Sequence, residues 1–258
     1  MRRRPFLIAV CAVLATAIAA TAAWAGPTVN GPNGNTQSID SQIRPKKLSK
    51  TKFTPGSLEV TTLTTSTTDP NGVPVPATHA VIDFDRNARL YTKGLPTCNS
   101  GKLQSQSTET AERVCGSSKI GSGTAIAYLK AGKVYEVPQT VTAFNGIPKG
   151  GKPTIILHSY GTTPLQVSLV LEGTVTNYNK EGYGPRLDLN VPLIAGGTGA
   201  LKEFDVTINK KWRFKGEKRS FISAKCPNSK KLKARGTFTY NDGQSLTALS
   251  TQSCKQSK

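Results

Sequence analysis

Short runs of alternating apolar and polar residues recur along most of this chain, and they constrain its fold more than any other feature. They are rich in valine, isoleucine, threonine, phenylalanine and tyrosine, which favour strands. Glycine, proline and asparagine separate them in "DPNG", "FNGIPKGGK", "IAGGTG" and "NDGQ", which favour turns. The runs are "SLEVTTLTT", "HAVIDF", "TAIAYL", "PTIILHSY", "LQVSLVLEGTVT", "RLDLNV", "FDVTI" and "GTFTY". The pattern predicts an all-β fold, an antiparallel β-sandwich.

Two local segments allow more specific predictions. "GTFTY" and "SLTALST" flank "NDGQ", in which Asp242 and Gly243 suit the positive φ angles of a tight hairpin turn. The segment "STETAERVC" has helical character, because Thr108 can cap its N terminus and Glu109 and Glu112 favour its N-terminal half. We therefore expect one hairpin near the C terminus and one short helix.

The first 25 residues have the pattern of a secretory signal peptide. Three arginines precede an apolar run from Phe6 to about Ala20, and Ala23-Trp24-Ala25 is a small-x-small cleavage site. No later run reaches the ~20 apolar residues of a spanning helix. We expect export, to a secreted or cell-wall-associated location, with no transmembrane helix in the mature chain. The segment "RRPFL" also fits twin-arginine export, so two export routes stay open.

Four cysteines remain in the expected mature chain: Cys98, Cys115, Cys226 and Cys254. An even number in an exported chain indicates disulfide bonds, and four cysteines allow three connectivities. Proximity along the chain favours the bonds Cys98 to Cys115 and Cys226 to Cys254, with the short helix between the first two. Paired C-x-x-C or Cys/His spacing is missing, so a zinc site is not expected. His79 and His158 are the only histidines in the sequence and lie far apart on strand-like runs, so we expect both to be half-buried strand residues.

The domain organisation follows from length and composition. About 230 of the 258 residues remain after cleavage, enough for one large β domain or two small ones. Residues 26–44 begin with a Gly/Pro/Asn run that can bury little apolar surface, so we interpret them as a flexible leader. Residues 45–258 are then a single large β-sandwich domain. The alternative is two smaller β domains that divide near residues 148–153.

The segment "VIDFDRN" raises the question of a metal site, because Asp83, Asp85 and Asn87 have the spacing with which a calcium loop begins. Such a loop needs glycine at its sixth position and glutamate at its twelfth. Counted from Asp83 these positions are Ala88 and Gly94, so both requirements fail. Alternate residues of a strand share a face, and we interpret the two acids as an exposed strand end. A weaker site made by the three residues and backbone carbonyls is the alternative.

No motif in the chain predicts catalysis. "GIPKGGKP" matches seven positions of a phosphate loop, but Pro153 supplies no hydroxyl for magnesium and a strand pattern follows where a helix should begin. Nucleophile-elbow, H-E-x-x-H and S-x-x-K motifs are also missing. We expect a protein that is not an enzyme and needs no cofactor. A secreted hydrolase stays an alternative, because the two carboxylates of such an enzyme can lie far apart in sequence.

Positive charge is the strongest physical feature of the composition. The chain has a net charge of +19, and removal of Arg2, Arg3 and Arg4 leaves 31 basic and 15 acidic residues, or +16. Residues 202–235 hold twelve of the basic residues and three acidic ones, with aromatic residues interleaved. Outside the cell, a basic surface attracts anionic envelope polymers and lipid headgroups. The candidate surface consists of Lys210, Lys211, Arg213, Lys215, Lys218 and Arg219.

Other interpretations of this charge are less specific. A lysine-rich face can simply stay solvated and keep edge strands from pairing with other molecules. Basic strands with interleaved aromatic residues also occur in nucleic-acid-binding proteins, but an exported chain is not expected to bind nucleic acid specifically. A further alternative is an extracellular carrier that holds a small apolar ligand inside the sandwich, and a large apolar cavity would favour it.

Several segments together resemble a recurring group of secreted, disulfide-containing, β-rich proteins of actinobacteria. The segments are "IDFDRNARLYTKGLPTC", "GSSKIGSGTA", "TAFNG", "IILH", "KWRFKGEKRSFISAKC" and "GTFTYNDGQSLTALSTQSC". The similarity would cover most of residues 45–254. It implies an actinobacterial host and an exported cysteine framework, but no catalytic residues, because that group has no established activity. Ala88 departs from the pattern, since a glycine would suit the turn after "FDRN" better.

Overall fold

The computed structural model describes residues 26–257, and the predicted signal peptide lies outside them. Within this range the chain forms eighteen strands, one α-helix and three short 3₁₀ helices. None of the helices in the range has the length and hydropathy needed to cross a membrane.

The helix α1 spans Thr108–Cys115, and the 3₁₀ helices span Ser100–Leu103, Gly116–Ser118 and Ala195–Gly197. The strands are β1 (Val29–Asn30), β2 (Asn35–Arg44), β3 (Lys47–Ser49), β4 (Thr54–Ser66), β5 (Ala77–Asp85), β6 (Ala88–Leu90), β7 (Lys119–Ala131), β8 (Lys133–Lys149), β9 (Lys152–Gly161), β10 (Val167–Asn177), β11 (Tyr183–Asn190), β12 (Gly199–Ile208), β13 (Lys211–Phe214), β14 (Glu217–Ser220), β15 (Ile222–Ala224), β16 (Lys231–Tyr240), β17 (Ser245–Ser253) and β18 (Lys255–Ser257).

Twelve strands follow one another in a single antiparallel sheet, in the order β1-β2-β4-β12-β7-β8-β9-β10-β11-β5-β16-β17. At the N-terminal end of β4, the short strand β15 pairs with β4 on one side and with β6 on the other. The hairpin of β13 and β14 forms a sheet of its own, and the short strands β3 and β18 pair in parallel. The predicted all-β, mainly antiparallel fold is therefore confirmed.

The long sheet encloses its main apolar core in a sandwich-like arrangement. Alternate residues of its strands point to the same side, and buried side chains from β2, β5, β9, β12 and β16 meet in one cluster. Residues 148–153, where a division into two domains would fall, form the hairpin between β8 and β9, which pair from Lys149 opposite Lys152 to Thr140 opposite Tyr160.

The two ends of the sheet meet where β17 lies against β2, whose outer edge is covered by the two-residue strand β1 at Thr36 and Gln37 only. The Ile43 amide donates a hydrogen bond to Gln252 Oε1 at 2.5 Å, and Gln252 Nε2 donates to the Ile43 carbonyl at 2.6 Å. The Ser41 amide donates to Ser250 Oγ at 3.0 Å. Side chains of β17 thus replace the backbone partner that the outer edge of β2 would otherwise lack.

The prediction of a flexible leader is wrong for residues 35–44, which form the long strand β2. Composition alone does not predict this strand, because most of its buried side chains are polar, and those of Asn35 and Gln37 form hydrogen bonds inside the fold. Gln37 is fully buried, and its Oε1 accepts hydrogen bonds from Thr64 Oγ1 at 2.7 Å and from the Tyr240 hydroxyl at 2.9 Å.

The predicted helix is confirmed, but its cap lies one residue earlier than expected. Ser107 is the N-cap residue, and its hydroxyl accepts a hydrogen bond from the Thr110 amide at 3.2 Å. The helix begins at Thr108, which therefore does not cap it.

Both disulfide bonds join the predicted partners, Cys98 with Cys115 and Cys226 with Cys254. The first bond fastens α1 to the outer face of the sheet over a small cluster that includes Phe144.

Two predicted turns have different outcomes. The hairpin across "NDGQ" is confirmed, because β16 and β17 pair from Thr239 opposite Ser245, and Gly243 has a φ of 81°. "FNGIPKGGK" is mostly strand, since β8 continues to Lys149 and Gly150 and Gly151 make the turn. The β-ladder with β9 extends a strand through residues whose composition favours a turn.

Candidate functional site

Asp83 lies at the centre of an ion-pair cluster on the outer face of the sheet. Its side chain is 3% exposed, and both of its oxygens accept hydrogen bonds from arginines. Arg186 donates from Nε at 2.6 Å and from Nη2 at 3.0 Å. Arg235 donates from Nη2 at 2.8 Å and from Nε at 3.0 Å. The interpretation of an exposed strand end is therefore wrong, because neighbouring strands bring the two arginines over this carboxylate.

The two arginines determine the ionisation of this site. Burial of Asp83 favours its neutral form, but the hydrogen bonds from Arg186 and Arg235 outweigh burial and hold the pKa of the carboxyl below its usual value. The Arg186 guanidinium also lies 3.7 Å from the ring centre of Tyr178. The carboxylate is thus ionised and fully engaged, as in a structural ion pair.

Asp85 and Asn87 belong to the turn that follows this strand. Asp85 Oδ1 accepts hydrogen bonds from the Asn87 amide and from Asn87 Nδ2, both at 2.8 Å. Asp85 Oδ2 accepts one from the Lys233 amide at 3.2 Å. Across residues 26–257, no group of three or more His, Cys, Asp or Glu residues is placed to hold a metal ion. A cation between Asp83 and Asp85 would have to displace guanidinium and amide donors.

The two histidines lie in different environments. His79 is partly exposed, as expected, and its Nε2 lies 2.8 Å from Asp188 Oδ1. His158 is fully buried, so the expectation that it would be half-buried is wrong. Its Nε2 lies 3.0 Å from the Gln106 carbonyl. Burial lowers the pKa of His158, and this hydrogen bond offsets only part of the effect. A neutral imidazole that donates to the Gln106 carbonyl fits this position.

The basic residues predicted as an anion-binding surface lie on and around the hairpin of β13 and β14. One face of the hairpin packs on the protein: Trp212 stacks on Tyr91 with ring centres 5.9 Å apart. Trp212 Nε1 donates a hydrogen bond to the Lys93 carbonyl at 3.2 Å. On the other face, Arg213 lies opposite Lys218, and both are exposed. We call Lys211, Arg213, Lys215 and Lys218 the basic hairpin.

Two of the six predicted residues differ from these four. Arg219 lies on the packed face, where its guanidinium is 5.0 Å from the ring centre of Tyr91 and pairs with Glu217. Lys210 is half-buried at the start of the hairpin. Within the described range, no residue of the basic hairpin has a carboxylate within salt-bridge distance. These four cations are therefore available to an anionic partner.

An apolar cavity of about 140 Å³ lies inside the sandwich. Inward-facing side chains such as Phe84, Leu187 and Phe204 border it, and they are only partly buried although they belong to the core. Among the described residues that line it, none is acidic and one, Arg89, is charged. The cavity supplies apolar surface but no group for acid–base chemistry.

A surface groove of about 510 Å³ adjoins this cavity. Five residues line both spaces: Ala88, Arg89, Leu90, Val175 and Pro185. The groove also contains Arg86 and Lys152, and its lining within residues 26–257 includes no acidic residue. Sequence reasoning missed this site, because its residues come from β6, β9, β10, β11 and the turns between strands, which are distant in the chain. One local signal in the sequence could have indicated this site: Arg86 and Arg89, which lie within and just after the segment tested as a calcium loop.

The comparisons with known proteins place the chain in no family. No protein-family model, no curated protein and no solved structure matches it. The basic hairpin and the cavity with its groove are therefore the features from which a function has to be argued.

Proposed function

We propose that the chain is an exported, non-catalytic β-sandwich protein that the basic hairpin holds at anionic polymers or lipid headgroups of the cell envelope. The observation that carries the proposal is a set of four exposed cations without acidic partners among the described residues. Two disulfide bonds support export, because such bonds persist in oxidising compartments. The resemblance to secreted actinobacterial proteins agrees with this location.

The hairpin geometry suits electrostatic attraction better than recognition of a single ligand. Trp212 and Phe214 anchor one face, so the cations of the other face stay on a fixed support. Among residues 26–257, none of the four cations lines the interior cavity or the groove beside it. The chain also has an excess of basic residues, which adds long-range attraction toward a polyanion.

Binding of the mature protein to isolated bacterial cell walls across a salt series tests this proposal. From about 0.01 to 1 M salt the screening length shortens from about 30 to 3 Å, so electrostatic binding should fall steeply. A variant with Lys211, Arg213, Lys215 and Lys218 changed to glutamine should bind much less at low salt.

The matched control removes the same charge elsewhere. Lys50, Lys102, Lys133 and Lys255 are exposed and lie outside the hairpin, and their change to glutamine should leave most of the binding intact. Equal binding by the hairpin variant and the unchanged protein at low salt would disprove the proposal. An equal loss in both variants would assign the attraction to net charge and not to the hairpin.

An extracellular carrier of a small apolar ligand is the second candidate function, and the interior cavity favours it. A cavity of about 150 Å³ with apolar walls can take up benzene in another protein, and the cavity in this chain has a similar volume, about 140 Å³. A ligand that binds the folded state alone raises the melting temperature. Benzene should therefore raise the melting temperature of the mature protein, and no change with saturating benzene would argue against the carrier.

A further inference from the structure

We propose that the cavity and the adjoining groove form one binding site for a single-chain anionic amphiphile, such as a fatty acid or an alkyl phosphate. The inference rests on the carrier function and adds the class of ligand. The alkyl tail occupies the cavity, and the anionic head lies in the groove.

The cavity suits an alkyl tail because its walls are almost entirely apolar. Leu157, Leu171 and Phe238 are among the residues that line it, and they come from three strands of the sheet. Transfer of methylene groups from water to such a surface is favourable. A cavity of this size holds about six carbon atoms, so the remainder of a longer tail has to leave toward the surface.

The inference places the passage between the two spaces at the residues that line both. Of these, Ala88, Leu90, Val175 and Pro185 are apolar, and Arg89 is the shared residue with a charge. An amphiphile that extends from the cavity into the groove therefore brings its head group close to Arg89.

The groove suits an anionic head group. Arg86, Arg89 and Lys152 are exposed and line it, and within residues 26–257 none of the three has a carboxylate within salt-bridge distance. The Arg89 guanidinium lies 5.4 Å from the ring centre of Phe53, and Lys225 Nζ lies 4.8 Å from the same ring centre. Guanidinium and ammonium groups form their strongest hydrogen bonds with carboxylate and phosphate oxygens. A neutral head group would gain less here, and a cationic one would be repelled.

Isothermal titration of the mature protein with four probes tests the inference: octanoate, octyl phosphate, octanol and acetate. We expect octanoate and octyl phosphate to bind at least about tenfold more tightly than octanol, because the octanol hydroxyl carries no negative charge and forms no ion pair with Arg89 or Lys152. Acetate lacks the tail and should bind much more weakly than octanoate. The tighter of the two anionic probes identifies the preferred head group.

Substitutions separate the tail site from the head site. The double change Arg89→Gln and Lys152→Gln should weaken octanoate binding about tenfold and leave octanol binding unchanged. The matched control, Lys102→Gln with Lys255→Gln, removes the same charge from exposed positions outside both the groove and the basic hairpin and should leave octanoate binding unchanged. Ala88→Leu narrows the passage at a partly exposed position and should weaken both octanoate and octanol.

Each contrary result has a distinct meaning. Equal affinities for octanol and octanoate would overturn the anionic ligand class and leave the carrier function intact. An equal loss of octanoate binding in the two charge variants would overturn it too, because net charge alone would then act. Octanoate binding that Ala88→Leu does not affect would place the tail outside the cavity. If neither benzene nor any of the four probes binds, both the carrier function and this inference fail.

Discussion

Asp83 shows at the scale of one residue how a buried charge can be structural. Its carboxylate is buried, yet four hydrogen bonds from two arginines keep it ionised. Removal of one partner from a buried ion pair lowers the stability of the fold by more than an exposed ion pair contributes, because the remaining charges are left without compensation. A substitution of Asp83 should therefore cause a measurable change in the free energy of unfolding.

We expect Asp83→Asn to lower the free energy of unfolding by about 2 to 3 kcal/mol, because charged hydrogen bonds are lost and two guanidinium groups then face each other. Denaturant unfolding measures the change. Asp205→Asn is the control, since Asp205 is half-buried and accepts one hydrogen bond from Thr61 at 2.9 Å. A loss at Asp83 no larger than at Asp205 would contradict the structural role.

Millimolar calcium should leave the melting temperature of the protein unchanged, because arginines already occupy both carboxylate oxygens of Asp83.

His158 predicts a pH dependence of stability. Burial lowers its pKa in the folded state, whereas the unfolded chain has an ordinary value of about 6.5. As the pH falls, the unfolded state therefore binds a proton at a higher pH than the folded state does. The contribution of neutral His158 to stability is present above pH ~6.5 and is lost progressively below it. We expect the free energy of unfolding to fall by up to about 1.4 kcal/mol per pH unit between the unfolded and folded pKa values.

Denaturant unfolding at several pH values between about 7.5 and 5 measures this slope. His158→Gln should flatten it, whatever its effect on overall stability. His79→Gln is the control, because His79 is partly exposed, and it should keep the decline. A slope that survives His158→Gln would assign the pH dependence to another group.

At the scale of elements, the contact between β2 and β17 joins the ends of the long sheet. Gln252 makes a pair of hydrogen bonds with the backbone of Ile43, in the way that a neighbouring strand would. Edge strands with free backbone groups tend to pair with other molecules. The side chains of β17 therefore both hold the sandwich together and cover the edge of β2.

We expect Gln252→Ala to lower the free energy of unfolding by about 2 to 3 kcal/mol, because the amide and the carbonyl of Ile43 lose their partners in a buried place. Ser253→Ala, at the exposed neighbouring position, is the control and should change stability by less than about 0.5 kcal/mol. The measurement is reversible denaturant unfolding. If Gln252→Ala had no more effect than the control, water or another group would have to satisfy Ile43.

At the scale of the whole molecule, the two disulfide bonds constrain different parts of the chain. Cys226 follows β15, and Cys254 lies between β17 and β18, so their bond fastens the C-terminal strands to the end of the sandwich. The other bond holds α1 on the outer face of the sheet.

Replacement of Cys226 and Cys254 by serine should lower the free energy of unfolding by about 3 kcal/mol, because the bond closes a loop of 28 residues in the unfolded chain. Denaturant unfolding measures this loss. Replacement of Cys98 and Cys115 provides the comparison, since that loop is shorter, at 17 residues, and the expected loss is similar. Unchanged stability after the first replacement would mean that the bond contributes nothing in the native protein.

The sequence alone determined those features that depend on neighbours in the chain. The two-residue alternation predicts the strands, Asp242-Gly243 predicts the hairpin, and proximity predicts the two cysteine pairs. These predictions succeed because strand faces, tight turns and short loops have local physical causes.

Only the tertiary structure decided the features that join distant segments. Arg186 and Arg235 lie 103 and 152 residues from Asp83 in the chain, so its burial could not be derived from "IDFDRN". The polar strand β2 becomes ordered because β4 and β17 satisfy its hydrogen bonds. The cavity and the groove exist because several strands enclose a space that their side chains do not fill. Such a space depends on how the whole sheet curves and packs, which no local pattern specifies.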